Sequence, residues 1–187
     1  MKSTNLSGSN SVYQPSEDSF LFVDFLKEYI SKLSKSKRLT IRYLDMGTGS
    51  GILAETAHKS GIIKHNIFAA DINPQAIEHM KSRGFNAIET DLFSKINKSE
   101  KFNIITFNAP YLPEDKYDKQ KDTSGGKKGD EASIKFLKKA RLHLEKDGVI
   151  FLLISSHTPQ DKINKFGPKI VARKKIFFEE LLILEFR

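Results

Sequence analysis

The segment Ile41-Arg42-Tyr43-Leu44-Asp45-Met46-Gly47-Thr48-Gly49-Ser50-Gly51 decides the fold class, because its apolar run ends in a glycine-rich loop. The apolar part predicts a buried strand, and Ile52–Lys59 predicts the helix behind the loop. The three glycines permit a sharp turn and let the backbone approach a ligand closely. The helix N-terminus presents free N–H groups beside that turn. The loop therefore predicts a ligand site, and an ordinary tight turn between a strand and a helix is the alternative.

Strand and helix patterns alternate along the rest of the chain. The first helix has Ser16 as its capping residue and an apolar stripe that reaches Leu33. The other predicted elements are strands at 67–70, 86–90, 102–107 and 148–154, helices at 73–84, 130–144 and 159–165, and a closing hairpin of strands 169–176 and 179–186. This alternation predicts an α/β, Rossmann-like fold with a mostly parallel seven-stranded sheet, helices on both faces and a C-terminal antiparallel hairpin.

Polar side chains follow four of the predicted strands. Asp45, Asp71, Asp91 and Asn108 each lie at or just after a strand end. In open parallel sheets, ligands bind beyond the carboxyl ends of the strands, near the point where the strand order reverses. We therefore expect these four side chains at one edge of one sheet.

The residues around the glycine loop favour S-adenosylmethionine over NAD as the ligand. Asp71 lies 20 positions after Gly51 (71 − 51), where a carboxylate can accept both ribose hydroxyls of either cofactor. The dinucleotide-binding pattern has a small residue where this chain has Ile52. Asp45 would repel a pyrophosphate, whereas it could help to hold a ligand that carries an ammonium and a sulfonium.

Asp91 and Leu92 offer a place for the adenine ring. The Asp91 carboxylate could accept a hydrogen bond from the adenine amino group, with Leu92 against the ring. The alternative is a solvated aspartate at a strand end, which is a common use of that residue. Both interpretations put a carboxylate at the same edge of the sheet.

Asn108-Ala109-Pro110-Tyr111 is the candidate acceptor site. An asparagine side-chain oxygen and a backbone carbonyl can accept both hydrogens of a planar –NH2 group. The proline stiffens the turn that aims this carbonyl, and the tyrosine ring can cover the planar group or the incoming methyl group. The motif therefore favours a nitrogen with a delocalised lone pair, such as an amide or an exocyclic base amine.

Composition limits the remaining possibilities. The chain has 187 residues, no cysteine and five scattered histidines, which predicts no metal site and fits an intracellular protein. We expect residues 1–11 to be a flexible tail and residues 12–187 to form a single domain. The absence of a signal peptide or a long apolar run predicts a cytoplasmic protein without membrane contact. The net charge of +8 is compatible with RNA or ribosome contact through a basic surface.

Together these motifs resemble the HemK/PrmC family of glutamine N5-methyltransferases, which are class I S-adenosylmethionine-dependent enzymes. The opening segment Val12-Tyr13-Gln14-Pro15-Ser16-Glu17-Asp18-Ser19-Phe20-Leu21 resembles the archaeal and eukaryotic branch, as does Gly125-Gly126-Lys127-Lys128-Gly129-Asp130-Glu131. The resemblance covers roughly Val12 to Arg187 and is weaker after Ser156. It implies methylation of the glutamine of the Gly-Gly-Gln motif in a class-1 peptide chain release factor.

The resemblance also implies roles for single residues. Asn108, Ala109, Pro110 and Tyr111 would form the catalytic motif, in which Ala109 replaces the usual proline. Ser19, which replaces the usual threonine, would belong to the cofactor site. The implied cofactor-binding residues are Ser19, Asp45, Gly47, Gly49, Gly51, Asp71, Ile72, Asp91, Leu92 and Asn108.

A partner and other acceptors follow from the same resemblance. Members of this branch need a small zinc-binding activator subunit, and the strands at 66–70 and 85–88 would offer it a sheet edge. Because related members act on lysine or on DNA adenine, a nucleic-acid exocyclic amine or a protein lysine is the alternative acceptor. A NAD-binding or non-catalytic relative is a further alternative, against which the intact Asn108–Tyr111 motif argues.

Overall fold

The computed structural model describes residues 15–111 and 129–187, which contain one seven-stranded sheet. The strands are β1 (Tyr43–Met46), β2 (Ile67–Asp71), β3 (Asn86–Glu89), β4 (Phe102–Asn108), β5 (Leu144–Ser155), β6 (Lys169–Ile176) and β7 (Glu179–Phe186), in the order β3-β2-β1-β4-β5-β7-β6. Strand β7 pairs antiparallel with both β5 and β6, and the pairings from β3 to β5 are parallel. The predicted mostly parallel sheet with its C-terminal hairpin is confirmed.

Helices cover both faces of the sheet. They are α1 (Glu17–Ser31), α2 (Lys35–Thr40), α3 (Ile52–Lys59), α4 (Pro74–Ser82), α5 (Glu131–Ala140) and α6 (Asp161–Asn164), with 3-10 turns at Lys64–Asn66 and Arg141–His143. One core lies between the sheet and α1, α3 and α4, where Phe22, Leu26 and Met80 are fully buried. The second core lies on the opposite face, where α5 buries Phe136 and Leu137. The two cores fix β1 and β4 in the middle of the molecule.

Two local predictions are wrong. The helix predicted over 130–144 ends at Ala140, and Leu144 begins β5 instead, because it pairs with Phe102 of β4 and joins the sheet. Ser16 is the N-cap residue of α1, as predicted, but the expected capping bond is absent because its side chain caps no backbone N–H. The Ser16 hydroxyl donates to Asp18 Oδ1 at 2.6 Å instead. At Leu144 a strand pairing replaces the helical pattern, and at Ser16 a hydrogen bond to a nearby side chain replaces the cap.

Parts of the family-like motifs lie outside the described residues. These are Val12 to Gln14 of the opening segment and Gly125 to Lys128 of the glycine-rich stretch. Within residues 15–111 and 129–187, no helix combines the length and apolar character that a membrane span requires. The same residues contain no cluster of three or more histidine, aspartate or glutamate side chains suited to a metal ion.

Candidate active site

The glycine loop is folded against the carboxyl ends of β1 and β2. Thr48 N–H donates to the Ala70 carbonyl at 3.1 Å, and Gly49 N–H donates to Asp71 Oδ2 at 2.8 Å. Gly47, Gly49 and Gly51 all have positive φ angles, which side-chain-bearing residues rarely adopt. The loop and the Asp71 carboxylate therefore form one hydrogen-bonded unit at the sheet edge.

Packing adds a reason for glycine at two of these positions. A Cβ atom on Gly51 would lie 2.1 Å from Sδ of Met80, which α4 buries completely. A Cβ atom on Gly47 would lie 3.0 Å from the ring of Phe107. The loop therefore packs against α4 and the end of β4. As a result, α3 begins close to the acceptor motif.

Asp45 lies beneath the loop in a buried hydrogen-bonded chain. Its two carboxylate oxygens accept from the hydroxyls of Thr48 at 2.8 Å and Thr106 at 3.0 Å. Thr106 also shares a 2.6 Å hydrogen bond with the Tyr43 hydroxyl. Burial raises the pKa of Asp45 to about 7, although the two hydroxyls act in the opposite direction. A nearby cation would favour the ionised form of the Asp45 carboxyl. The hydrogen-bonded side chains around Asp45 therefore suit a ligand of positive charge.

Asp71 is held in a fixed orientation at the end of β2. Its Oδ1 accepts from Asn73 N–H at 2.9 Å, and its Oδ2 accepts from the loop at Gly49. Its backbone carbonyl accepts from Thr90 N–H at 2.8 Å, which ties the end of β3 to the same unit. The neighbouring Ile72 side chain is 63% exposed and offers apolar surface beside the carboxylate. This arrangement fits a ribose with an attached base.

Asp91 and Leu92 follow β3 at the same edge. Asp91 is exposed, whereas Leu92 is half-buried and is the one residue other than glycine with a positive φ, 49°, in the described part of the chain. The Thr90 hydroxyl donates to the Leu92 carbonyl at 3.0 Å and supports this conformation. Strained backbone of this kind is concentrated at ligand-binding positions.

Asn108, the last residue of β4, has one half of its side-chain amide held and the other half unpaired. Its Nδ2 donates to Asp18 Oδ2 at 3.1 Å. Its Oδ1 is buried and has no hydrogen-bond partner among residues 15–111 and 129–187. The reverse amide orientation would set two acceptor oxygens against each other, so Asp18 fixes which atom is available. A buried acceptor without a partner costs about 1–3 kcal/mol, which a donor on a ligand would recover.

The rest of the acceptor motif surrounds this atom. Ala109 is buried, Pro110 and Tyr111 are half-buried, and the Tyr111 hydroxyl lies 3.5 Å from Asp18 Oδ2. Ser19 is buried beside Asp18, to which its backbone N–H donates at 2.6 Å. The N-terminus of α1 and the end of β4 are therefore joined through a single carboxylate.

Sequence reasoning missed Asp18 and Thr106 as members of the site. In the sequence, Asp18 is part of the family-like opening segment and an acidic residue in the first turn of a helix, where its charge favours the helix dipole, and neither feature predicts a contact with Asn108. Thr106 lies inside a buried strand, and only its register opposite Asp45 brings their side chains together. The repeated hydroxyls and carboxylates at strand ends were the available signal, but no sequence pattern specifies which of them meet.

Comparisons with known proteins identify the class of enzyme. A family profile described as a methyltransferase domain matches residues 18–169. A candidate protein N5-glutamine methyltransferase of Methanocaldococcus jannaschii is 36% identical, over 92% of this chain and 90% of the relative. The catalytic subunit of the eRF1 methyltransferase of Schizosaccharomyces pombe is 25% identical, over 76% of this chain and 71% of the relative.

A solved methyltransferase structure has a similar fold. The Thermus thermophilus 16S rRNA N2 G1207 methyltransferase, in complex with AdoMet and guanosine, superposes with a TM-score of 0.61 at 16% identity. The match covers 97% of this chain and 45% of that chain. This likeness concerns the architecture of the sheet and its helices.

The sheet order, the glycine loop and the methyltransferase-domain match define a class I methyltransferase, whose cofactor is S-adenosyl-L-methionine. The predicted enzyme class and cofactor are thereby confirmed. Within this class, the chain belongs to the HemK/PrmC family of protein N5-glutamine methyltransferases.

Proposed function

We propose that this enzyme methylates the side-chain amide nitrogen of the glutamine in the Gly-Gly-Gln motif of a class-1 release factor, in the cytoplasm. The observation that carries the proposal is the buried, unpaired Oδ1 of Asn108 beside the glycine loop. The names of the relatives supply the acceptor, since they specify a glutamine N5 nitrogen and a release factor. A glutamine amide offers the two N–H donors that such an acceptor pair requires.

The chain's contribution to the reaction is orientation. Asn108 Oδ1 accepts one amide hydrogen and the Ala109 carbonyl accepts the other, so that the planar group has one defined position. Tyr111 packs nearby and limits movement of the amide. Because displacement at a methyl carbon is in line, correct positioning accounts for much of the rate enhancement. The amide nitrogen gains the methyl group and loses one proton to solvent, while the S–CH3 bond of the cofactor would break and leave a neutral thioether.

Residues of the loop and the strand ends would hold S-adenosylmethionine, which supplies an activated methyl group when bound. We assign the ribose hydroxyls to Asp71, and the adenine ring to the surface formed by Ile72 and Leu92 with Asp91 at its amino group. Gly47, Gly49 and Gly51 allow close backbone approach, Asp45 faces the positive charge, and Ser19 closes the site from α1. The fit rests on the fixed Asp71 carboxylate and the exposed Ile72 side chain.

Two substitutions separate acceptor binding from cofactor binding. Asn108→Ala should abolish methyl transfer and leave the affinity for S-adenosylmethionine within about twofold, because the amide that it removes contacts Asp18 and the acceptor, and not the ribose or the adenine ring. Asp71→Ala should weaken cofactor binding in calorimetry by at least about tenfold, since it removes both ribose contacts. Full turnover by Asn108→Ala would remove that residue from the site, and unchanged cofactor affinity of Asp71→Ala would show the cofactor placement to be wrong.

We further propose that a small zinc-binding activator subunit covers the exposed edge of the sheet at β3 and forms a heterodimer. Strand β3 is terminal in the sheet, and a terminal strand offers unpaired backbone groups to a partner strand. A largely apolar cavity of about 310 Å³ opens beside it, with Phe68, Ile88 and Phe102 in its lining. The name of the S. pombe relative, a catalytic subunit, agrees with a two-subunit enzyme.

Copurification of a coexpressed activator tests this interface. Ile88→Lys should reduce the yield of the heterodimer at least about tenfold, because it puts a charge into the apolar cavity. Ile170→Lys is the matched control, since Ile170 is 42% exposed on β6 at the opposite edge of the sheet. Equal loss of the activator in both variants, or in neither, would contradict the assignment to β3.

RNA or DNA is the second candidate acceptor, supported by the net charge of +8 and by a motif that fits an exocyclic base amine equally well. The same basic surface supports contact with RNA or the ribosome. Labelled S-adenosylmethionine with purified release factor, RNA and DNA in parallel distinguishes these acceptors. Label in nucleic acid alone would replace the proposed substrate.

A further inference from the structure

Two adjacent phenylalanines are almost fully exposed to solvent at the turn between β6 and β7. Phe177 is 97% exposed and Phe178 is 94% exposed, and we call this pair the hairpin tip. Single exposed apolar residues are common on protein surfaces, but two whole aromatic rings side by side place a large apolar area in water. Contiguous exposed apolar surface of this kind marks interaction sites.

The turn itself gives no reason for two aromatic rings. Two-residue hairpin loops favour glycine, asparagine or aspartate, because the preferred turn types need a positive φ. Neither Phe177 nor Phe178 has a positive φ in the structure. The tip therefore departs from ordinary turn chemistry, and such local departures are concentrated at functional positions.

The hairpin tip lies at the same edge of the sheet as the candidate active site. Ser155, at the carboxyl end of β5, pairs with Leu181 near the beginning of β7. The tip is fixed to this edge by His157, whose Nε2 lies 3.0 Å from the Phe178 carbonyl. It is also joined to α1 by an ion pair between Lys174 and Glu17, the residue before Asp18. A protein bound at Asn108 would extend over this region.

Charge around the tip points to a protein partner. Three cationic residues, Arg173, Lys174 and Lys175, are matched by three carboxylates, Glu17, Glu179 and Glu180. Two of these cations form ion pairs, since Lys174 pairs with Glu17 and Arg173 lies 3.8 Å from Glu180. Nucleic-acid binding relies on a net positive surface that neutralises phosphates, and this region is neutral in a chain of net charge +8.

We propose that the hairpin tip is a docking element for the methyl-acceptor protein. Phe177 and Phe178 enter an apolar depression on the release factor while its glutamine lies against Asn108. Aromatic side chains are enriched at the centres of protein interfaces, where they bury large area with little loss of rotamer freedom. The inference rests on the proposed function, because it requires a protein acceptor at the site.

The test compares two acceptors and three proteins. The proteins are the wild-type enzyme, the double variant Phe177→Ser with Phe178→Ser, and Leu142→Ser as the matched control, each with the activator if the enzyme needs it. Leu142 is 66% exposed and precedes β5, at the opposite end of the sheet. The acceptors are the full-length release factor and a short peptide that spans only its Gly-Gly-Gln motif.

We expect the double variant to raise KM for the full-length factor at least about tenfold, with kcat and peptide methylation within about twofold of wild type. Leu142→Ser should leave all of these values unchanged. Unchanged KM in the double variant would overturn the proposal, as would an equal loss with the peptide. Loss of RNA binding, or of a dimer in light scattering, without a change in KM would assign the tip to that partner instead. If the wild-type enzyme methylates neither acceptor, the proposed function fails and this inference falls with it.

Discussion

At the scale of single residues, the orientation of the Asn108 amide depends on the carboxylate of Asp18. Asp18 is 4% exposed and accepts hydrogen bonds from Asn108 through one oxygen and from Ser16 and Ser19 through the other. A carboxylate only accepts, so it selects the amide orientation that leaves Asn108 Oδ1 available. We interpret Asp18 as a positioning residue, which acts on the reaction through Asn108.

Replacement of Asp18 by asparagine should therefore slow transfer without affecting the cofactor. Asp18→Asn keeps the size of the side chain but introduces a donor, so that the Asn108 amide loses its single orientation. We expect kcat to fall about 100-fold with little change in the affinity for S-adenosylmethionine. Asp24→Asn, on the exposed face of the same helix, is the control and should stay close to wild type. A parallel loss of cofactor affinity or of the fold would instead indicate a general structural role.

The buried Asp45 carboxyl makes the stability of the free protein depend on pH. Its pKa is raised from 3.8 to about 7, chiefly by burial. Between these values the folded protein keeps a proton that the unfolded chain releases, so the free energy of unfolding falls as the pH rises through this window. The contribution of Asp45 to the free energy of unfolding is fully present below pH 3.8 and is lost as the pH rises through about 7.

Denaturant titrations of wild type and Asp45→Asn at roughly pH 5 and pH 8 measure this contribution, because these conditions lie inside and above the window. The asparagine variant cannot ionise, so its stability relative to wild type should increase between the two conditions. Both proteins contain the same other titratable groups, which makes the comparison internally controlled. Identical pH dependence of the two proteins would show that Asp45 does not titrate in this range.

At the scale of elements, the contact between the glycine loop and α4 constrains the start of α3. Gly51 has a φ of +78° and its Cβ would meet the buried Met80 side chain, whereas Gly167 has a φ of +69° and nothing within 4 Å of its Cβ. Gly167→Ala is therefore the control, because a Cβ at this position introduces the strain of a positive φ without a steric clash. Gly51→Ala should reduce the free energy of unfolding by a further ~1–3 kcal/mol, the usual cost of overpacking. Equal losses in the two variants would show that Met80 moves aside without cost.

The fold was largely predictable because its signals are local. Apolar runs of strand length, the glycine loop and the Asn73-Pro74 helix start each act within a few residues, and the structure forms elements at all of these places. The end of α5 was predicted wrongly because Leu144 fits a helical stripe but pairs with Phe102 in the sheet. Competition between a local pattern and strand pairing is decided only by the whole sheet.

The interior of the site was less predictable for the same reason. The side chains of Asp18 and Asn108 meet across 90 positions of sequence, and Thr106 reaches Asp45 across 61. Helix α1 has to pack on the sheet before the first contact exists, and β4 has to pair with β1 before the second exists. Motif spacing predicts Asn108 and Asp71 as site residues, whereas the side chains that orient them are set by packing.

At the scale of the whole molecule, the three proposed contact surfaces do not overlap. Strand β3 lies at one side of the sheet and β6 at the other. The candidate active site lies between them at the carboxyl edge, on the same edge as the hairpin tip. An activator on β3 would therefore leave the tip and the acceptor motif accessible, which allows the activator and the release factor to bind together.

The position of the methyl group on a release factor tests the central claim most directly. Purified factor is incubated with the enzyme, its activator and labelled S-adenosylmethionine, and the product is mapped by tandem mass spectrometry. We expect a single added methyl on the side-chain nitrogen of the glutamine in the Gly-Gly-Gln motif, absent with the Asn108→Ala enzyme. Methyl groups on lysine, or in RNA or DNA with none on that glutamine, would contradict it.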